Sequence, residues 1–260
     1  MKELKFLTAL WKTNLASAME YRVAFISQTI GMILNDGVYF LVWIIFFDRF
    51  KDIRGWQLTD MFLVFGVSAS AFGLAGILFG NAFNLGEIIV NGRLDYYLSL
   101  PRPTLLHVLA SRAVPSGFGD FLYGFVSYLA SGQFSIDGLG RFVLAVILAT
   151  VIFITFLVIV QSLAFWLGTG GTFTGIAINA MVTFALYPIT LFNNTAKLVL
   201  FILVPAAFMG AVPAGFVRSF SWSTLGLMSL AAAGFLSLAV LLFRLGLRRY
   251  ESGSAIQVEV

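Results

Sequence analysis

The sequence predicts an all-α integral membrane protein. Three observations carry that reading: an excess of apolar residues, uncharged runs long enough to span a bilayer, and basic residues gathered between those runs. Of 260 residues, 60% are hydrophobic and 11% charged, against about 25% charged in a soluble domain. Such a chain has too little polar surface to cover a water-facing globule, and lipid is the solvent that resolves this. The net charge of +4 is spread thinly between apolar runs, as loop anchors are, and not massed as on a nucleic-acid-binding face. Cysteine is absent, which excludes disulfides and thiolate metal sites.

The elements follow in order. Residues 1–21 place Leu4, Leu7, Trp11, Leu15 and Ala18 at helical spacing, with Lys2, Lys5 and Lys12 free to face the other way. That is the pattern of an amphipathic helix lying in the membrane interface. Met1 to Arg22 mixes polar and apolar residues and holds no compact apolar core followed by a small-residue cleavage site, so no cleaved signal peptide is expected. A first span covers 23–47, with Asp36 as its only charge, and a polar loop follows to Asp60. A second span covers 61–83. A broken polar stretch, 86–101, ends in Pro101-Arg102-Pro103, and a third span, 105–130, holds Arg112, Pro115 and Asp120. From Phe142 to Ala196 no residue is charged. That is too long for one helix, and Gly168-Thr169-Gly170-Gly171 divides it into spans at 142–167 and 173–192. The final span is 222–243.

Between the last two spans lies 198–217, apolar but broken by Pro205, Gly210 and Pro213. The distribution of basic residues arbitrates its fate. With six spans and a cytoplasmic N-terminus, ten of the 16 Lys and Arg fall inside. If 198–217 also crossed, the count would be eight to eight. The positive-inside bias therefore favours six spans, with 198–217 as a re-entrant segment. Irregular backbone at membrane depth is tolerated only against protein or water, so this segment should pack on the other spans. Residues 1–260 then form one transmembrane domain.

Enzyme signatures are missing. His107 is the only histidine, so no histidine-pair metal site exists within the chain. No G-x-S-x-G nucleophile elbow occurs. The glycine run at 168–171 lacks the lysine of a phosphate loop and joins two apolar spans. The chain is therefore not expected to be an enzyme or to hydrolyse ATP unaided. Asn193-Asn194-Thr195 fits a glycosylation sequon, a match common by chance.

Ionisable residues inside a membrane are costly and face a bundle interior or an aqueous cavity. Asp36, beside Asn35, lies in span one, and Arg112 and Asp120 lie in span three. Two readings are open: a buried ion pair, as of Asp36 with Arg112, or the polar lining of a translocation path. Asn81, Asn84, Asn179, Thr183 and Tyr187 add hydrogen-bonding groups to spans two and five, for helix packing or for the same path.

The stretch after span two runs Gly86-Glu87-Ile88-Ile89-Val90-Asn91-Gly92-Arg93-Leu94-Asp95-Tyr96-Tyr97-Leu98-Ser99-Leu100-Pro101. Its core, Gly92-x-Leu94-x-x-x-Leu98-x-x-Pro101, resembles the segment at the same place in permeases of the ABC-2 type. The N-terminal helix resembles that family's connecting helix, and the broken segment its extracellular re-entrant helices. Tyr187-Pro188, Val204-Pro205, Val212-Pro213-Ala214 and the ending Gly246-Leu247-Arg248-Arg249-Tyr250-Glu251-Ser252-Gly253 are similar to a six-span branch that works beside a second permease. The resemblance implies a transmembrane subunit of an ABC exporter in a bacterial plasma membrane, with both termini cytoplasmic. It implies two ATPase subunits, which carry ATP and magnesium, and a second permease, the same chain or a relative. Glu87, Gly92, Arg93, Leu94, Asp95, Tyr96, Leu98 and Pro101 would form a coupling helix on an ATPase, with Leu94 and Leu98 as its apolar anchors. Spans two and five would line a path for an amphipathic compound such as a drug, peptide, lipid or glycan. The competing readings are an ion- or proton-coupled secondary transporter using Asp36 and Asp120, and a membrane scaffold without transport.

Overall fold

The computed structural model describes residues 2–169 and 171–251. Thirteen α-helices and three short 3-10 turns make up the regular structure of these residues. Helix α1 is Lys2–Glu20, α2 Arg22–Arg49, α3 Leu58–Phe79, α4 Leu85–Val90, α5 Leu94–Leu98, α6 Thr104–Ala110 and α7 Gly117–Ala130. Then come α8 Ile136–Ser162, α9 Ala164–Leu167, α10 Thr172–Ala185, α11 Asn194–Ile202, α12 Ala211–Arg218 and α13 Trp222–Leu247. Ser252 and Gly253 of the C-terminal sequence pattern lie outside the described residues.

Four stretches are long and apolar enough to cross a bilayer: Arg22–Arg49, Leu58–Val90, Ile136–Leu167 and Trp222–Leu247. A fifth arises if the pair Asn194–Ile202 and Ala206–Arg218, bent by 73°, counts as one. The two central stretches, built on α3 and α8, are mostly buried, whereas α2 and α13 turn broad apolar faces outward. Outward residues such as Ile30, Leu34, Val38 and Leu230 suit lipid or another membrane chain.

The most extensive helix–helix contact in the fold is between α3 and α7. Small residues line both sides: Gly66, Ser70 and Gly73 on α3, Gly117 and Gly124 on α7. A Cβ at Gly117 would lie 2.8 Å from the Gly73 carbonyl, and one at Gly66 would lie 3.1 Å from that of Gly124. Backbones that touch in this way gain dispersion contact where no water drives helices together. Ser127 adds a hydrogen bond to the Phe62 carbonyl at 2.8 Å.

The stretch expected as a single third span is two helices. Residues 111–116 leave helical geometry, and Pro115 lacks the N–H a continuous helix would need. The freed backbone is re-satisfied by α3 and its continuation. Gly80 N–H donates to Arg112 at 2.9 Å and Val114 N–H to Gly76 at 2.9 Å. Asn81 Nδ2 donates to Val108 at 3.1 Å and to Ser111 Oγ at 2.8 Å.

Helix α10 stops at Ala185, short of the expected 192, because Pro188 biases the residue before it to extended backbone. At 14 residues it is about 21 Å long, less than a bilayer core. Helix α8 starts at Ile136, earlier than the expected 142, since Ser135 caps it by accepting from Gly138 N–H at 2.9 Å. The bend at 203–210 does pack on protein: Ala206, Ala207, Phe208 and Met209 are buried. Ser68 Oγ donates to the Met209 carbonyl at 3.0 Å, and Ser68 lies about 15 Å along α3 from Leu58.

The two ends of α3 define two faces. At its start, Asp60 pairs with Arg218 of α12 at 2.9 Å, and Arg54 donates to the Thr190 carbonyl at 2.7 Å. At its end, α1 docks by capping orphan helix-end carbonyls. Trp11 Nε1 donates to Leu78 at 2.8 Å and Asn14 Nδ2 to Ala110 at 2.9 Å. These bonds turn Leu7 and Trp11 toward the protein and leave Leu4 and Leu15 exposed, so the expected apolar stripe divides between two neighbours.

Candidate functional site

Helices α2, α3, α7 and α10 line an open-sided cavity of about 540 Å³. Six of the nine intramembrane polar residues singled out in the sequence line it: Asn35, Asp36, Asp120, Asn179, Thr183 and Tyr187. The other three lie elsewhere. Asn81 is buried and stitches the α6–α7 break to α3. Asn84 precedes α4 and accepts from Ile88 N–H at 3.1 Å. The Arg112 side chain is exposed, and only its carbonyl is engaged, by Gly80. The ion pair of Asp36 with Arg112 is therefore not formed.

Asp36 meets Asp120 instead, close enough for the two carboxyl groups to share a hydrogen bond, and Asn35 bonds to Asp36. The reason is geometric. The break at 111–116 starts α7 afresh at Gly117 and sets Asp120 in its first turn, beside α2. Gly119 lets α7 lie against the backbone of α2 at Thr29. Arg112 stays on the far side of the break.

The rest of the wall is aromatic and apolar. Trp43 and Tyr187 meet edge to face at 5.4 Å, and Tyr39, Phe46, Phe65 and Phe72 add rings. Met209 at the bend between α11 and α12 closes one side. Apart from Tyr187, none of these residues stood out in the sequence. A phenylalanine facing a cavity and one facing lipid satisfy the same hydropathy.

The second region is the segment after α3. Helix α4 ends with Gly92 in the left-handed conformation at φ 69°. Gly92 N–H donates to Ile89 at 3.2 Å and Arg93 N–H to Ile88 at 3.0 Å, the paired bonds of a Schellman motif. This explains why Gly92 stands there. Leu94 is fully buried, so the expectation that it anchors a partner is corrected: α5 turns Leu94 inward to fill the space under it. Tyr97 OH bonds to Ser111 Oγ at 2.9 Å, and its ring meets His107 edge to face at 5.2 Å. Phe6 of α1 covers the other side of His107 at 4.9 Å, and Arg102 lies over Phe6 while pairing with Glu3 at 3.0 Å. The outward surface consists of Val90, Tyr96 and Leu98, with Glu87, Arg93 and Pro101 around them. Asp95 sits beside Tyr250; burial and that carboxylate push the Tyr250 phenol up to about 12.

One residue missed in the sequence binds this region to the core. Gln161 of α8 is buried, accepts from Gly86 N–H at 2.8 Å, and donates to the Ala82 carbonyl. An uncharged amide near the end of a 27-residue apolar helix was the available signal.

An all-helical chain with four or five membrane-length apolar stretches and a polar-apolar cavity among them defines a polytopic membrane protein. The family model described as ABC-2 family transporter protein matches residues 33–254. The chain belongs to the ABC-2 transporter family, as a non-catalytic membrane component of an ABC system, and membership implies association with an ABC ATPase. Comparison with curated proteins and with solved structures finds no match.

Proposed function

We propose that this chain is the permease subunit of an ATP-driven exporter of amphipathic compounds, built with a second permease and two ATPase subunits that hold ATP and magnesium. The observation that supports it best is continuity. Leu58–Val90 behaves as one 33-residue membrane stretch. It lines the cavity at Phe65, Ser68 and Phe72 and ends at the outward surface of Val90, Tyr96 and Leu98. A push on that surface is carried to the cavity wall through α4, the short 3-10 turn at Gly80–Phe83 and α3. On this reading α2, α3, α6 with α7, α8, α10 and α13 are six spans, and the bent α11–α12 pair is re-entrant. Both termini then lie on the cytoplasmic side of a bacterial plasma membrane, with α1 in the interface.

The test is co-purification. An ATPase subunit is expected to accompany the tagged chain, and Tyr96→Glu with Leu98→Glu to release it while the membrane fold is kept. An ATPase that stays bound and active with both changes overturns the coupling assignment.

The Asp36–Asp120 contact favours a second reading, a secondary transporter driven by ions or protons. It predicts transport that survives ATP depletion and collapses with the proton gradient. Transport unaffected by Asp36→Asn would sink it.

A further inference from the structure

We propose that the cavity among α2, α3, α7 and α10 is a binding site for a cationic amphiphile, with the positive charge held between Asp36 and Asp120 and the apolar body on the surrounding rings. The inference rests on the permease reading and names the substrate class for its path.

Three observations converge. First, Asp120 is 3% exposed, lines the cavity, and its Oδ2 has no hydrogen-bond partner; Asp36 Oδ2 is likewise buried and unpartnered. A proton shared between the two carboxyl groups still leaves the pair one negative charge and both Oδ2 atoms without a partner. A buried acceptor without a donor costs about 1–3 kcal/mol, more when charged, and a cation removes that cost for both at once. Second, among the described residues no Lys, Arg or His lines the cavity. The negative charge of the pair is not answered by a cation among the described lining residues, which selects against anions and for cations. Third, the remaining wall is mostly apolar and rich in rings, with Trp43, Tyr39 and Phe46 on α2 and Phe65 and Phe72 on α3. Ring faces attract a soft, weakly hydrated cation, and rings of this kind accept flat or branched apolar groups without hydrogen-bond demands. A volume of about 540 Å³ lies within the range of drug-sized sites, roughly 300–1,000 Å³.

The probe pair is tetraphenylphosphonium and tetraphenylborate, which share shape and oppose in charge. The full-length chain in nanodiscs is assayed for saturable binding of each, with empty nanodiscs subtracted for partition into lipid. The phosphonium is expected to bind saturably and the borate not. Asp36→Asn with Asp120→Asn is expected to weaken phosphonium binding at least tenfold, and Trp43→Leu several-fold. Borate binding as tight as phosphonium overturns the proposal using the unmodified chain alone, so the outcome does not hinge on the variants folding. Unchanged phosphonium affinity in the folded double variant overturns it too. Failure here with an ATPase still co-purifying sinks only the substrate class. Phosphonium binding with no ATPase in the complex sinks the coupled-transport reading and leaves the cation site standing.

Discussion

Gln161 offers the sharpest test of how the segment after α3 is held. Its amide takes the Gly86 N–H at 2.8 Å and gives to the Ala82 carbonyl, bridging α8 to the two turns that connect α3 with α4. Gln161→Leu keeps the volume and removes both bonds. Gly86 and Ala82 are buried, and α8 and the core close round them, so water does not replace the lost partners. Each stranded group costs about 1–3 kcal/mol. If the Gly86 N–H alone is charged to local opening, that cost lowers its protection by about fivefold to 150-fold. Hydrogen exchange of peptides covering 82–90, measured in nanodiscs, reads this directly. Gln161→Glu is the discriminating companion. It keeps an acceptor for Gly86 but sets a carboxylate against the Ala82 carbonyl, so it should also raise exchange, and more at pH values where the carboxyl is ionised. Exchange within twofold of wild type for Gln161→Leu would refute the bridge. In a coupled complex the same variant should preserve ATPase binding, because Val90, Tyr96 and Leu98 are untouched, while lowering the transport obtained per ATP.

The other predictions concern packing. Leu94→Ala should destabilise by about 2–5 kcal/mol, as buried leucine truncations do, whereas Leu98→Ala, at an exposed site, should stay within about 0.5 kcal/mol; thermal unfolding of the purified protein in detergent compares them. Gly92→Ala should cost about 1–2 kcal/mol because the left-handed backbone at φ 69° crowds a Cβ, and a lowered unfolding temperature with no change in the cavity's ligand binding checks it. Gly117→Val should separate α3 from α7, since a Cβ there would already lie 2.8 Å from the Gly73 carbonyl; early unfolding or loss of monodispersity is expected, and a wild-type profile would show that the contact is loose.

The sequence by itself determined the solvent. Uncharged runs of spanning length, separated by polar breaks, leave helices in lipid as the only way to pair the backbone, and the all-helical fold follows. It also marked the division between α9 and α10 at the glycine run, where Gly168 takes the left-handed backbone, whereas the expected span 173–192 ran through Pro188, beyond the observed end of α10 at Ala185. Family membership was legible in the same way, from the order of short motifs along the chain. Asn35, Asp36, Asp120, Asn179, Thr183 and Tyr187 could be named in advance, since a polar group in an apolar run needs a reason.

Only the tertiary structure decided what those groups meet. Asp120 faces Asp36 and not Arg112 because the chain breaks at 111–116, and a helix drawn straight through Pro115 carries the wrong rotation past that point. Asn81, of the same type as Asn35, closes that break and lines no cavity. Leu94 and Leu98 look alike in sequence, yet one fills the interior and the other faces out, because a five-residue helix has too little length to reveal its buried side by period. The stretches Arg22–Arg49 and Leu58–Val90 are similarly apolar, but one is outward and the other central. Hydropathy reports the preference for lipid over water, and a packed helix neighbour is as apolar as lipid. Which face of each helix touches protein is set by shape, through Gly66, Gly73, Gly117 and Gly124, and shape is expressed only once two helices are side by side.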